Sequence, residues 1–169
     1  MKKSLFFVLA LALTAAGSSG STARAASSDS AAITALYKQF AAVFEHKDLN
    51  GIMSLYVPND SLFVFDVGPP REHRGWNDYR EDWKALFAGF KDNPTFEIID
   101  FGMTIDGDVA YTHSAQRISA NTGAKTRTTV VVRVTDVLRK INGKWLIVEE
   151  HVSIPVDLNT MKPDPLSKT

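Results

Sequence analysis

The chain has 169 residues, and its 19 lysines and arginines balance its 19 aspartates and glutamates. It contains no cysteine, which excludes disulfides, thiolate metal sites and cysteine nucleophiles. The balanced charge and the absence of a basic tract argue against nucleic acid as the main partner.

The N-terminus has the features of a secretory signal peptide. Lys2 and Lys3 precede an apolar run at residues 5–16, which is too short to span a membrane. Residues 23–25 (Ala-Arg-Ala) fit the small-residue cleavage pattern, so we predict a signal peptide over residues 1–25. Cleavage would leave 144 residues with 16 basic and 19 acidic side chains, a net charge of −3. We expect a bacterial periplasmic or secreted protein without membrane attachment after cleavage; the alternative is an uncleaved anchor.

Helical periodicity dominates the first part of the mature chain. Apolar residues recur at helical spacing from Ile33 to Phe44 and predict a first helix of about 17 residues, after a polar segment at 27–30 that offers N-caps. Asp48 predicts the start of a short second helix that ends at Pro58. A third helix is expected after Gly75, and its apolar stripe contains Trp76, Tyr79, Trp83, Leu86, Phe87 and Phe90.

Strand patterns surround and follow the third helix. Residues 61–66 alternate and are followed by a Gly-Pro-Pro break. Four longer strands are predicted over residues 95–105, with a bulge near Ile98, and over 109–119, 127–139 and 144–154. The strands are separated by turn signals at Asp106-Gly107, residues 121–123 and Asn142-Gly143. Residues 157–169 are expected to form an extended tail.

This order of elements predicts an α+β domain over residues 26–156. We expect a cone-shaped roll in which a strongly curved, mostly antiparallel sheet wraps around three N-terminal helices. Such a roll encloses a cavity that must be filled by side chains or left for a ligand.

Three carboxylates interrupt the apolar strand faces: Asp66, Asp136 and Glu150. In one shared cavity, desolvation and mutual repulsion would raise the pKa of at least one of them. A carboxyl group that keeps its proton can donate a hydrogen bond while another acts as a base, as enolisation requires. The alternative is that these carboxylates have no chemical role, because carboxylates at strand ends are often solvated and Asp136 could form an ion pair with Arg133 or Arg139.

Several of these positions resemble the SnoaL-like and ketosteroid isomerase-like branch of the nuclear transport factor 2-like superfamily, over about residues 30–156. The matching positions are a tyrosine after helix two, an aspartate in the first strand, a Gly/Pro segment before helix three and a D-V-x-R run, here Tyr56, Asp66, Gly68-Pro69-Pro70, Gly75 and Asp136-Val137-Leu138-Arg139. The resemblance implies the roll fold and cofactor-free proton transfer, with Asp66 as the base and Asp136 as the oxyanion-hole donor.

The sequence also departs from the isomerase pattern. The oxyanion-hole tyrosine of helix one falls at Phe40, a tyrosine of helix three is replaced by Trp83, and Tyr37 lies one turn before Phe40. Glu150 has no counterpart in the isomerase site. We take Asp66, Asp136 and Glu150 as the candidate catalytic residues. The candidate substrate-binding residues are Tyr56, Trp83, Phe40, Tyr37, His113 and Arg71.

The four histidines do not have the spacing of a metal site, so neither a metal nor a cofactor is expected. His73 is predicted in a solvated loop, with an anionic group of a substrate as the alternative ligand. The facing of His113 is left open by the strand pattern. His151, on the face opposite Glu150, is expected at a subunit interface.

These patterns favour a secreted pocket protein that binds a small, mostly apolar molecule with a carbonyl or hydroxyl group. If it is catalytic, isomerase, cyclase or dehydratase chemistry is expected. The alternatives are a non-catalytic binding or homodimeric assembly domain and, third, a structural subunit of an envelope complex. A homodimer through the outer sheet face is expected from a bulky outer set comprising Trp145, Ile147, Val131 and Val137.

Overall fold

The computed structural model describes residues 19–124 and 126–166, and within them three helices pack on a curved six-stranded sheet. The elements are α1 (Ser19–Glu45), α2 (Leu49–Met53), β1 (Phe63–Phe65), β2 (His73–Arg74), α3 (Trp76–Gly89), β3 (Thr95–Asp106), β4 (Val109–Ala120), β5 (Thr128–Ile141), β6 (Lys144–Ser153), β7 (Val156–Asp157) and β8 (Lys162–Pro163). The predicted α+β class is confirmed. None of the described helices is both long and apolar enough to cross a membrane.

Helix α1 begins earlier than the periodicity predicts. It starts at Ser19 and runs through residues 27–30, which we expected to cap its N-terminus. Contacts with distant strands hold this first part of the helix: the buried Asp29 carboxylate accepts hydrogen bonds from Lys140 Nζ at 2.7 Å and Trp145 Nε1 at 3.1 Å. The predicted cleavage position at residue 25 falls within α1, and residues 1–18 of the predicted signal peptide lie outside the described residues.

The strand order in the sheet is β2-β1-β6-β5-β4-β3, and only the β1–β6 pairing is parallel. The predicted hairpins are present at Gly107 and at Asn142-Gly143, where positive φ angles of 59°, 51° and 79° suit tight turns. The predicted bulge in β3 is also present, between Ile98 and Asp100. Strand β2 was not predicted, because two residues carry too little periodicity.

A second bulge, in β6, was not anticipated. Val137 pairs with Glu149 but Leu138 pairs with Ile147, so Val148 is an extra residue. Before this bulge in the chain, the alternation of β6 is inverted, and Ile147 shares the inner face of the sheet with Leu138.

The bulge corrects the prediction of a bulky outer face. Trp145 and Ile147 are both buried within the chain's own core instead of lying on the outer surface. The prediction failed because strict alternation along the whole of β6 assigns every residue before the bulge to the wrong face. Of the predicted outer set, Val131 and Val137 remain, and both are half-buried.

The core is formed by the inner sheet face and aromatic side chains of α1 and α3. The ring of Phe44 lies 5.9 Å from that of Trp83 and 5.0 Å from that of Phe96. On β5 the inner side chains include Val132 and Val134, both buried, as the alternation predicts. These aromatic and aliphatic side chains also form part of a cavity wall.

The C-terminal segment is folded, unlike the extended tail that we expected. Strands β7 and β8 pair as a short antiparallel hairpin. The chain then returns to the sheet, where Val131 N donates a hydrogen bond to Pro165 O at 2.7 Å. The tail was predicted as extended because its backbone partners lie on β5, far away in sequence.

Candidate functional site

A cavity of about 400 Å³ lies between α1, α3 and the inner face of the sheet. This volume is in the range of small-molecule sites, about 300–1,000 Å³. Its walls are mostly aromatic and aliphatic, and its polar lining comes from Asp66, His73, Tyr79, Asp82, Gln116, Thr122, Thr128 and Glu150. The cavity expected from the sequence is therefore present and is not filled by the described side chains.

Glu150 is the most enclosed carboxyl group of the cavity wall, with 3% of its surface exposed. Its Oε1 accepts a hydrogen bond from the Tyr79 hydroxyl at 2.6 Å, and its Oε2 accepts one from the Tyr56 hydroxyl at 2.9 Å. Burial, followed by the neighbouring charge of Asp136, raises the pKa of Glu150 well above its ordinary value, although the two hydroxyls oppose this shift. Glu150 therefore holds a proton more firmly than an ordinary glutamate does.

Asp136 lies directly opposite Glu150 in the β5–β6 ladder but does not line the cavity. The Tyr37 hydroxyl donates to its Oδ2 at 2.5 Å, and the Thr112 hydroxyl lies 3.5 Å from the same oxygen. Burial raises the pKa of Asp136 to about 6, against the hydrogen bonds from Tyr37, Glu150 and Thr112, which lower it. Asp136 thus lies behind Glu150 and not on the cavity wall, whereas the resemblance implied that Asp136 itself is the oxyanion-hole donor.

Asp66 is half-buried at the end of β1 and lines the cavity. Its Oδ1 accepts a hydrogen bond from Val67 N at 2.5 Å, and its Oδ2 lies 3.4 Å from the Tyr79 hydroxyl. Because the same hydroxyl donates to Glu150, Tyr79 connects the two carboxyl groups of the cavity. The structure therefore brings the three predicted carboxylates into one polar network.

The predicted substrate-binding residues divide into three groups. Phe40 and Trp83 line the cavity. Tyr37 and Tyr56 lie behind the wall and hold the carboxyl groups of Asp136 and Glu150. His113 and Arg71 are exposed and do not line the cavity, so the structure does not place them in the site.

The position of His113 follows from the β3–β4 register. His113 pairs with Gly102 and alternates with Thr112 and Ser114, both of which are buried on the inner face. A side chain at Gly102 would meet the His113 ring at 2.4 Å, so the ring lies over the glycine on the outer face. Sequence alone left this facing open because polar and apolar residues are mixed on both faces of β4.

Two titratable cavity residues, His73 and Asp82, were not among the predicted site residues, although His73 was considered as a ligand for an anionic group of a substrate. His73 is 4% exposed and belongs to β2, which corrects its expected place in a solvated loop. Asp82 lies within the stripe of α3 that also includes Tyr79 and Leu86 at helical spacing, which was the available signal. Across residues 19–124 and 126–166 no cluster of three or more histidine, aspartate and glutamate side chains could hold a metal ion.

The sequence profile of the SnoaL-like domain matches residues 33–157. The chain belongs to the SnoaL-like family. No curated protein matches this SnoaL-like chain.

Solved structures similar to this SnoaL-like protein share the nuclear transport factor 2-like fold. A nuclear transport factor 2-like protein of unknown function from Pseudomonas putida is 24% identical, with a TM-score of 0.75, over 86% of this chain and 98% of its own. A superfamily member from Salmonella enterica is 18% identical, with a TM-score of 0.67, over 83% and 96%. A ketosteroid isomerase-like protein from Erwinia carotovora is 21% identical, with a TM-score of 0.61, over 73% and 93%. At these identities the likeness shows the fold alone.

Proposed function

We propose that this SnoaL-like protein binds a small, mostly apolar molecule carrying a carbonyl or hydroxyl group and transfers a proton on it without a cofactor. The observation that carries the proposal is the pair of carboxyl groups, Asp66 and Glu150, on the wall of one apolar cavity. Their environments differ, since Glu150 is almost fully enclosed and Asp66 is half-buried. Carboxyl groups with different protonation in one site are what acid–base catalysis requires.

The two groups have distinct roles in enolisation. Asp66 removes a proton from the carbon next to a carbonyl, since its half-buried carboxyl group lines the cavity within reach of a ligand. The electron pair of the broken C–H bond moves onto the carbonyl oxygen as the enolate forms. Glu150 donates a hydrogen bond to that oxygen and keeps its own proton, and the surrounding apolar wall strengthens this hydrogen bond by excluding water. Return of the proton to another carbon completes an isomerisation.

The proposal modifies the roles that the resemblance implied. Glu150 replaces Asp136 as the donor, because Asp136 has no surface on the cavity. Phe40 lines the cavity without a hydroxyl, and Tyr37 donates to Asp136 instead of pointing its hydroxyl at a ligand. The fold shared with the ketosteroid isomerase-like protein of Erwinia carotovora is consistent with this chemistry.

Binding and proton transfer are tested with separate probes. 2-Naphthol, which has an enol-like hydroxyl on an apolar ring system, is titrated into the protein and its fluorescence followed. 2-Tetralone, an apolar ketone, is incubated with the protein in D2O, and exchange of its α-hydrogens is followed by NMR. We expect saturable naphthol binding and catalysed exchange.

Substitutions of Asp66 and Glu150 test the role of each carboxyl group in proton transfer. Asp66→Asn should lower the exchange rate by about 100-fold or more and leave naphthol binding largely intact, since general-base catalysis contributes about 10²–10⁴-fold. Glu150→Gln should reduce both exchange and binding, whereas Glu149→Gln, an exposed neighbour in β6, should change neither.

A second candidate function is binding without turnover, which the largely apolar cavity wall supports by itself. Naphthol binding without tetralone exchange would favour this candidate. A failure of both probes to bind would contradict the cavity function altogether.

A further inference from the structure

Gln116 places an amide group on the sheet wall of the cavity, and the proton transfer described above does not use it. The residue lies on β4 and is 5% exposed. Val132, its partner on β5, and Ile118, the next residue on the same face of β4, also line the cavity. An amide in such apolar surroundings is costly to bury unless its oxygen and its nitrogen have hydrogen-bond partners.

One half of this amide is paired within the protein. Nε2 of Gln116 donates a hydrogen bond to Ser114 Oγ at 2.9 Å, two residues earlier on the same strand face. The amide oxygen, Oε1, has no hydrogen-bond partner among the described residues. It is also not one of their fully enclosed unpaired side-chain atoms, which are Trp83 Nε1 and Asp136 Oδ1. Oε1 therefore keeps accessible surface, and this surface faces the cavity that Gln116 lines.

The strand register separates the amide from the carboxyl groups of the site. Thr112, Asp136 and Glu150 lie in one row across β4, β5 and β6. Gln116 is four residues beyond Thr112 on β4, which corresponds to about 13 Å at the usual rise per strand residue. Val134 lines the cavity in the row between them. The amide and the carboxyl groups thus lie apart on the cavity wall, with an apolar stretch between them.

The free atom of the amide determines which ligand group it can bind. A carbonyl oxygen accepts hydrogen bonds, so its partner must carry a hydrogen. A hydroxyl group meets this requirement without bringing a charge into an apolar wall, where a charge would be costly. A ligand without such a group leaves the buried oxygen unpaired, so the amide favours ligands that have one.

We propose that Gln116 determines specificity by accepting a hydrogen bond, at Oε1, from a hydroxyl group at the far end of the ligand. The inference rests on the proposed function, because Asp66 and Glu150 bind the other end of the same molecule. It narrows the ligand class to elongated apolar molecules with polar groups at both ends.

The test uses two pairs of probes that differ in length. Each pair shares one ring skeleton with either one hydroxyl or two at opposite ends: 2-naphthol with 2,6-dihydroxynaphthalene, and 4-phenylphenol with 4,4′-biphenol. Their dissociation constants are measured at pH 7 by fluorescence titration. The two equivalent orientations of a symmetric diol give about twofold in affinity by themselves. We expect the diol of at least one pair to bind about fivefold or more tightly than its monohydroxy counterpart.

The outcomes separate this inference from the proposed function. A preference of about twofold or less in both pairs would overturn the inference and leave the proposed function standing, because the monohydroxy probes still bind. Failure of all four probes to bind would overturn both.

Variants locate the hydroxyl group. Gln116→Met, which has a similar size and no amide, should weaken the preferred diol about fivefold or more relative to its monohydroxy counterpart. Gln116→Leu provides a second variant at the same site, with the same expected result. Arg117→Gln, at the exposed neighbouring position on β4, should retain the wild-type preference. Retention of the preference in Gln116→Met or Gln116→Leu would overturn the assignment to Gln116.

Discussion

Glu150 and Asp136 pair across the β5–β6 ladder, but their carboxyl groups differ in hydrogen-bond partners and in access to the cavity. Glu150 has two tyrosine hydroxyls and a surface on the cavity, while Asp136 has Tyr37 and Thr112 and no such surface. Both are desolvated, and their mutual repulsion prevents both from ionising easily. Both carboxyl groups therefore hold protons to higher pH than they would in water.

The first prediction concerns the electrostatic repulsion between Asp136 and Glu150. Replacing Asp136→Asn removes the charge that raises the pKa of Glu150, so the titration midpoint of Glu150 should fall by about one pH unit or more. The measurement is a carboxyl ¹³C NMR titration. Asp100→Asn, an exposed control on β3, should leave the midpoint unchanged. An unchanged or higher midpoint in Asp136→Asn would show that Asp136 does not act on Glu150 electrostatically.

At the scale of elements, the short helix α2 leads into the segment that positions Tyr56. Residues next to this tyrosine bond to the backbone of β6: Val57 N donates to Ile147 O, and Ile147 N donates to Leu55 O, both at 2.9 Å. The tyrosine is therefore fixed between α2 and the strand that carries Glu150. A five-residue helix has few internal hydrogen bonds, so its cap contributes a large share of its order.

The second prediction follows from that cap. Asp48 Oδ1 accepts a hydrogen bond from Gly51 N at 2.9 Å. Asp48→Ala should lower the free energy of unfolding by about 1 kcal/mol, since replacement of an N-cap aspartate by alanine typically costs this much. Urea unfolding followed by circular dichroism measures the change. Asp108→Ala, at an exposed turn, should stay within about 0.5 kcal/mol, and an equal loss in both variants would contradict the capping role.

At the scale of the whole molecule, buried carboxyl groups make stability depend on pH. The pKa values of Glu150 and Asp136 are raised in the folded state, so the native protein retains protons that the unfolded chain releases above its ordinary values of 4.5 and 3.8. The free energy of unfolding should therefore fall as pH rises from about these values through the folded pKa values, by up to about 1.4 kcal/mol per pH unit for each proton. Asp29, whose pKa is lowered by Lys140 and Trp145, contributes stability that is lost below pH 3.8 instead.

The third prediction is that Glu150→Gln makes the free energy of unfolding fall less steeply as pH rises. A glutamine has no proton to lose, so the pH dependence between about 4.5 and the folded pKa of Glu150 should become shallower in the variant. Denaturant midpoints measured from pH 4 to pH 9 test this. Glu149→Gln should retain the wild-type slope, because its side chain is exposed. A steeper or identical slope in Glu150→Gln would contradict the assignment of the raised pKa.

The fourth prediction is the homodimer expected from the sequence. With Trp145 and Ile147 in the core, the outer face retains Val137 and an exposed Tyr111, which lie opposite each other in the β4–β5 ladder. Analytical ultracentrifugation should show a dimer, and Val137→Glu should shift it toward monomer by placing a charge at the centre of that face. A monomer at all concentrations tested would contradict the prediction.

Secretion and cleavage near Ala25 also stay predictions.

The sequence by itself determined the order of the three helices and of strands β1 and β3 to β6, and the facing of most strand residues. Its hairpins at Gly107 and Gly143 and the bulge in β3 are local features, set by turn residues and by the alternation of neighbours. It also identified the three carboxylates that converge, Asp66, Asp136 and Glu150, because a charged residue on an apolar strand face stands out against the pattern.

Only the tertiary structure decided which of the three carboxyl groups line the cavity. The bulge at Val148, the burial of His73 and the outward position of His113 all depend on partners far away in the chain. The pKa shifts depend on the same long-range contacts: burial raises the pKa of both carboxyl groups, and the charge of Asp136 raises that of Glu150 further. A sequence pattern fixes which residues share a face, but desolvation is a property of the assembled core.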